Sequence, residues 1–322
     1  MGPKNSINIP GYHTFPSPSQ QSKTDTLKMS TNSIESHEMN RASWNDATIA
    51  HNSHKVDQHI FFRNKGSTLF KEEKDLLRSL AGLSVCHLQC NAGQDTLSLV
   101  TKLGADNPVG VDISDSAIEF ATQLSKDSGI KATFIRADIF DYFDKTESDQ
   151  FDVVFASYGV LGWLSSMERY AAGVNKILKP GGRYCLVEFH PVNFIFNRDL
   201  VHEYPYSSAG TPLQESGVSD YVAFSAAGGE DIMPGLKYAT GIQDFKNVNP
   251  TYEFCWGLAD VLGSFVEIGL QLTHFKEYPY SNFCKMYNDM TPEKVEEGTR
   301  WHFTGPMLPL MYSLSFQKPY SR

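Results

Sequence analysis

From residue 84 to 189 the hydrophobic pattern switches repeatedly between period two, or unbroken apolar runs, and a period near 3.6. Residues 84–90 read as a strand and 94–103 as a helix. Residues 109–113 read as a second strand. A helix follows over 114–127, with Ser114 placed to cap it and Ile118, Ala121 and Leu124 on one face. Residues 131–136 alternate like a strand, and 151–156 (Phe151-Asp152-Val153-Val154-Phe155-Ala156) form the apolar run of a strand covered on both faces. A helix over 166–178 stops at Lys179-Pro180-Gly181-Gly182, and 184–189 is the next buried strand. Further on, Leu258, Val261, Leu262, Phe265 and Ile268 fall on one helical stripe closed by Gly269. Two late strands, 270–278 and 310–317, have no helix between them and should therefore be antiparallel. The prediction is an α/β, doubly wound, mostly parallel seven-stranded sheet that ends in an antiparallel strand pair.

The flanks break this rhythm. Residues 1–38 are Ser-, Thr-, Asn-, Gln- and Pro-rich with few apolar anchors, and are expected to form a disordered tail. Residues 39–80 carry helical spacing and are expected to form an N-terminal helical cap on a domain spanning 81–322. Within that domain, 191–253 and 279–305 lack a helix period. Connections of that length are expected to be lids or substrate inserts.

Lys+Arg 28 against Asp+Glu 37 leaves a formal charge of −9 over 322 residues, so a phosphate backbone is an unfavourable partner and nucleic acid is not expected. The same balance favours a neutral or cationic small acceptor over a polyanion. The five cysteines form no CxxC pair, which fits a reduced, cytoplasmic protein without a zinc knuckle. No apolar run is long enough for a membrane span, so no membrane partner is expected. His51, His54 and Asp57 recur every third residue, but nothing nearby completes a ligand set. They read as polar surface, and no metal is expected.

The chemistry concentrates in Val85-Cys86-His87-Leu88-Gln89-Cys90-Asn91-Ala92-Gly93-Gln94-Asp95-Thr96 and Val109-Gly110-Val111-Asp112. A strand turning into a helix start offers backbone N–H groups, and an acid at the tip of the next strand can hold two ribose hydroxyls. Of a dinucleotide-binding G-x-G-x-x-G only the last glycine, Gly93, survives, which makes a poor pyrophosphate cradle. A nucleoside cofactor without phosphates tolerates this better, and S-adenosyl-L-methionine is one. A second acid, Asp138, ends the third strand, where a carboxylate can meet an adenine amino group.

The order of these features, with Phe151-Asp152-Val153-Val154-Phe155, Leu178-Lys179-Pro180-Gly181-Gly182 and the closing antiparallel pair, resembles the class I S-adenosylmethionine-dependent methyltransferases, a Rossmann-like fold, over about residues 84–318. The first motif and the Ser157-Tyr158-Gly159-Val160-Leu161-Gly162-Trp163 run are similar to a small-molecule subgroup. The first motif departs from the family at His87, where an acid is usual, and at Gln89 and Asn91, where glycines are. The resemblance implies transfer of a methyl group to an O, N or S atom of a small molecule. It implies that Cys90, Asn91 and Gly93 line the methionine end, Asp112 binds the ribose with Ile113 beside the adenine, Asp138 and Ile139 hold the adenine edge, and Ser157 and Tyr158 face the sulfonium. His190, at the end of the fifth strand, is the candidate general base, with Glu188 two residues back to orient it. The rival readings are a non-catalytic cofactor-binding relative and, further off, an NAD-dependent oxidoreductase.

Overall fold

The computed structural model describes residues 23–223, 236–305 and 308–320. It opens with helix α1 (Lys23–Ser53), a two-residue strand β1 (Lys55–Val56) and short helices α2 (Gln58–Arg63) and α3 (Lys71–Leu77). Then come β2 (Val85–Leu88), α4 (Gln94–Leu103), β3 (Val109–Asp112), α5 (Asp115–Ser128), β4 (Thr133–Arg136), α6 (Ile139–Lys145), β5 (Phe151–Ser157), α7 (Met167–Ile177) and β6 (Leu178–Phe189). The small strands β7 (Leu213–Glu215), β8 (Lys237–Tyr238) and β9 (Thr251–Glu253) precede α8 (Leu258–Glu267) and β10 (Gln271–Tyr278). The chain finishes with β11 (Tyr280–Asn282), β12 (Met290–Val295), β13 (Gly298–Phe303) and β14 (Met311–Gln317).

Seven of these strands form one sheet in the order β10-β14-β6-β5-β2-β3-β4. Strands β2 to β6 are mutually parallel, and β14 runs antiparallel to both β6 and β10. Counting only these seven along the chain, the order across the sheet is 3-2-1-4-5-7-6, as expected for the class I arrangement. The chain reverses direction across the sheet between β2 and β5. Helices there leave a crevice at the strands' carboxyl ends. All four residues of β2 are buried, as a strand covered on both faces requires. On one face Leu88, Val154 and Leu186 pack under α6, α7 and α8, where the ring of Phe265 stacks on Tyr184 and on Phe316, each at 4.9 Å. On the other, Val85, Leu99, Val153 and Phe155 pack with Leu77 and Leu80. Burial of each such large apolar side chain contributes about 1.5–3 kcal/mol.

Two expectations change. The tail expected over 1–38 lies outside the described residues as far as 22, but from Lys23 the chain is helical, and Ser36 and His37 are buried. Helical spacing marked this helix only from residue 39, and much of its inner face is polar: Asn40, Ser43, Thr48 and His51 are all buried. Asn40, Ser43 and His51 are satisfied by tertiary partners instead. Tyr252 N donates to Asn40 Oδ1 at 2.7 Å and Val218 N to Ser43 Oγ at 2.9 Å. The segment 279–305, which lacks a helix period, contains a three-stranded antiparallel sheet, β11-β13-β12. Finally, Lys179-Pro180-Gly181-Gly182 does not separate helix from strand. It is an irregularity inside β6, where pairing jumps from Phe151↔Leu178 to Val153↔Arg183 and Gly181 takes φ +80°.

Candidate cofactor and acceptor site

The turn after β2 adopts glycine-like backbone without the glycines. Gln89 has φ 53° and Asn91 φ 48°, at the two positions where the fuller motif has glycine. Each left-handed non-glycine residue costs on the order of 1 kcal/mol. Local bonds offset this: Gln89 Nε2 donates to Val160 O at 2.8 Å, and Asn91 N donates to Asp112 Oδ2, also at 2.8 Å. Gly93, the one glycine retained, has φ 80° and caps α4. A Cβ there would fall 2.7 Å from Ala121 Cβ and 2.8 Å from the Phe134 ring, so glycine is required for packing against α5 and β4.

Asp112 ends β3 with its second oxygen accepting from Ser114 N at 2.9 Å, so it also braces the start of α5. Ser114 caps that helix as expected, accepting from Ala117 N at 3.1 Å. Burial pushes the Asp112 carboxyl up to about 6, with the N–H groups of Ser114, Asn91 and Ile113 pulling it back. Asp138 is more heavily engaged. One oxygen caps α6 through Phe140 N at 2.8 Å, and the other meets His37 Nδ1 at 2.5 Å. The His37 ring, stacked on Phe140, reaches this acid from α1.

The turn after β5 is held from β6. Glu188 is buried, and its carboxylate accepts from the N–H groups of Gly159, Val160, Leu161 and Phe189. This fixes Tyr158, at φ 48°, and Gly159, at φ 74°, at the mouth of the crevice. Glu188 thus positions the loop and makes no contact with His190 of the kind expected.

A cavity of about 240 Å³ lies at the carboxyl ends of β2, β3 and β5. Of the expected residues, it brings together Cys90, Asn91, Asp112, Ile113, Asp138, Ile139, Ser157 and Tyr158. Gly93 and His190 are not among its lining residues. His190 N donates to Leu310 O, which carries the residue over the antiparallel edge of the sheet. Its Nε2 lies 3.0 Å from Glu277 of β10, and its Nδ1 accepts from Val192 N. Burial lowers its pKa, opposed by Glu277.

The walls contributed by the N-terminal cap were not legible as site residues, whereas the two inserts were expected to bear on the substrate. His37, Asn40 and Trp44 come from α1, Lys55 from β1 and Thr68 from the following loop, while Asp95 opens α4. Tyr221, Val222, Leu236 and Tyr238 come from the first insert and Phe283 from the second. The insert is strapped to α1, with Asp220 meeting His54 at 2.8 Å and Ser219 O meeting His51 at 2.9 Å. His51 and His54, read as polar surface, are thus buried fasteners. His87 is buried in β2 against Thr96 and pushed down to about 3 by burial, so it is a neutral imidazole in the cavity lining. Among the described residues no three His, Cys, Asp or Glu side chains group as a metal site.

The donor set fits an adenosyl cofactor on one further count. Among the described residues, four buried side-chain atoms have no hydrogen-bond partner. Two of them, His37 Nε2 and Gln89 Oε1, belong to cavity-lining residues.

Residues 79–216 match the family model of a methyltransferase domain. Together with the sheet order and the acid-tipped β3, this match marks residues 79–216 as a methyltransferase domain with the class I fold, for which S-adenosyl-L-methionine is the cofactor. That match favours methyl transfer over the oxidoreductase alternative. No curated protein matches the sequence significantly. Among solved structures, an S-adenosylmethionine-dependent methyltransferase from Mesorhizobium loti is 16% identical with TM-score 0.47, over 78% of this chain and 98% of that one. Another from Clostridium acetobutylicum is 15% identical with TM-score 0.44, over 73% and 84%. Geranyl diphosphate C-methyltransferase from Streptomyces coelicolor A3(2), solved with S-adenosyl-L-homocysteine, is 10% identical with TM-score 0.44, over 76% of each chain.

Proposed function

We propose that the enzyme methylates an O, N or S atom of a small molecule, and that it does so by positioning rather than by a dedicated base from β6. The observation that carries this reading is the closure of the cavity. Its far wall is built by the inserts and by α1, and a polymer would have to displace the hydrogen bonds that strap the first insert down. S-adenosyl-L-methionine supplies a methyl group on a sulfonium, and displacement from sulfur needs mainly alignment of the acceptor.

In this reading Asp112 accepts from the ribose hydroxyls, with Ile113 against the adenine. Asp138 and Ile139 bound the adenine edge. Because Asp138 already holds His37, that imidazole stands between the carboxylate and the ring it was expected to meet. Cys90 and Asn91 border the methionine end, and Ser157 and Tyr158 border the sulfur. His190 is given no part in proton transfer, since both of its nitrogens are engaged away from the cavity. Unpaired thiols at all five cysteines suit a cytoplasmic setting.

Calorimetry with S-adenosyl-L-homocysteine, followed by transfer of labelled methyl to a panel of small O, N and S nucleophiles, tests the reading. Saturable product binding and label in one acceptor class are expected. Binding without transfer to any acceptor would favour the non-catalytic alternative, and no binding by folded protein would end the cofactor assignment.

A further inference from the structure

We propose that Lys55 anchors the methyl acceptor through an anionic group, so that the substrates are small, mainly apolar or aromatic molecules carrying a carboxylate. This rests on the small-molecule reading above and narrows it. Lys55 sits on β1, which pairs with β8 of the first insert in the register Lys55↔Tyr238 and Val56↔Lys237. The pairing places Lys55 at the seam between cap and insert, as a half-buried residue lining the cavity beside Thr68, Asp95 and Tyr238. Among the described residues it is the one lysine or arginine in that lining.

Lys237, Asp220 and Asp95 already have partners, and among the described residues Lys55 has none. Lys237, next along the same ladder, meets Asp57 at 3.0 Å. Asp220 is held by His54, and Asp95 Oδ1 accepts from the Thr68 hydroxyl. Both acids act on Lys55 at a distance, yet among the described residues neither they nor any other carboxylate comes within ion-pair reach of it. Burial pushes the ammonium down to about 8, so near neutrality it is still mostly charged. A partly buried ammonium without a counter-ion is costly, and an arriving carboxylate lowers that cost while forming a charge-assisted hydrogen bond. The same cavity is also lined by Tyr158, Val222, Leu236 and Phe283, which offer it apolar and aromatic surface. One charged anchor with an apolar enclosure selects a small acid whose remainder is apolar. The acceptor preference drawn from overall charge is therefore reversed locally.

The test uses the full chain saturated with S-adenosyl-L-homocysteine. Benzoate, phenylacetate, cinnamate and indole-3-acetate are each compared with the corresponding primary amide, by thermal shift and then calorimetry. At least one acid is expected to bind about tenfold or more tightly than its amide, the ratio one charge-assisted bond confers. Lys55→Met should abolish the preference while homocysteine-adduct affinity stays within about twofold, and Lys55→Arg should keep part of it. Should Lys55→Met lose the adduct, Lys55→Gln, closer in length and polarity, decides in its place. If wild-type protein binds the adduct but no acid over its amide, or if the preference survives removal of the ammonium, the anchor is refuted and the methyltransferase reading stands. If wild type does not bind the adduct, that reading fails and the anchor fails with it.

Discussion

Glu188→Gln preserves volume and shape, yet it should be among the most damaging single changes near the cavity. Oε1 of Glu188 accepts from Gly159 N at 2.5 Å and Phe189 N at 2.7 Å, while Oε2 accepts from Val160 N at 2.8 Å and Leu161 N at 3.3 Å. A carboxamide has one oxygen. Whichever way it is turned, its NH₂ faces two backbone donors. Two bonds to a charged acceptor are lost, at about 1.5–3 kcal/mol each, and little of that is recovered because the site is buried. The expected loss is roughly 3–5 kcal/mol, a fall in Tm on the order of 10 °C. The turn that relaxes carries Tyr158, Gly159 and Val160, all cavity-lining, so affinity for S-adenosyl-L-homocysteine should drop about tenfold or more as well. Denaturant unfolding at pH 7 and calorimetry measure the two effects. A variant within 1 kcal/mol of wild type and with unchanged affinity would show that the carboxylate does not hold this turn.

Asp112, pushed up to about 6 by burial, becomes a poor acceptor once protonated. Affinity for S-adenosyl-L-homocysteine should therefore level off about one pH unit above that value and fall through pH 6 on the acid side, with Asp112→Asn weak throughout; a titration flat from about pH 5 to 7.5 contradicts this. Glu73 is pushed up from 4.5 to about 8, first by burial and then by Asp95, and its Oε2 has no hydrogen-bond partner. Because the folded state holds that proton more tightly, wild-type stability should decline relative to Glu73→Gln between pH 4.5 and 8, by up to about 1.4 kcal/mol per pH unit. Parallel stability profiles would exclude a buried neutral carboxyl. His190→Asn should lower Tm by a few degrees through the lost Glu277 contact and leave the pH profile of kcat/KM unchanged; a vanished acid limb would make it a base.

The contrast between Asp112 and His190 shows where local pattern stops being informative. Both stand at the end of a parallel strand, in the same kind of sequence context. Asp112 ends β3, next to the switch point, and reaches the cavity. His190 follows β6, whose other neighbour is β14, and the Leu310 carbonyl draws it over that strand toward Glu277 on β10. Its position depends on which strand pairs with β6, and that partner lies more than a hundred residues away in sequence. Gln89 and Asn91 teach a related lesson. The chain keeps the backbone path of the glycine motif and replaces the glycines' freedom with side-chain and Asp112 hydrogen bonds.

Sequence periodicity alone determined the seven strands, the parallel core, the antiparallel close and the acid at the tip of β3, because each depends on the spacing of apolar residues or on turn chemistry within a few positions. Tertiary structure alone decided that a helix with a buried polar face lines the cavity, that His37 stands before Asp138, and that Lys55 pairs with the first insert at the cavity wall. Polar residues satisfied by distant partners leave no period to read. Their hydrogen bonds form only after the apolar pattern has folded the sheet and brought those partners within reach.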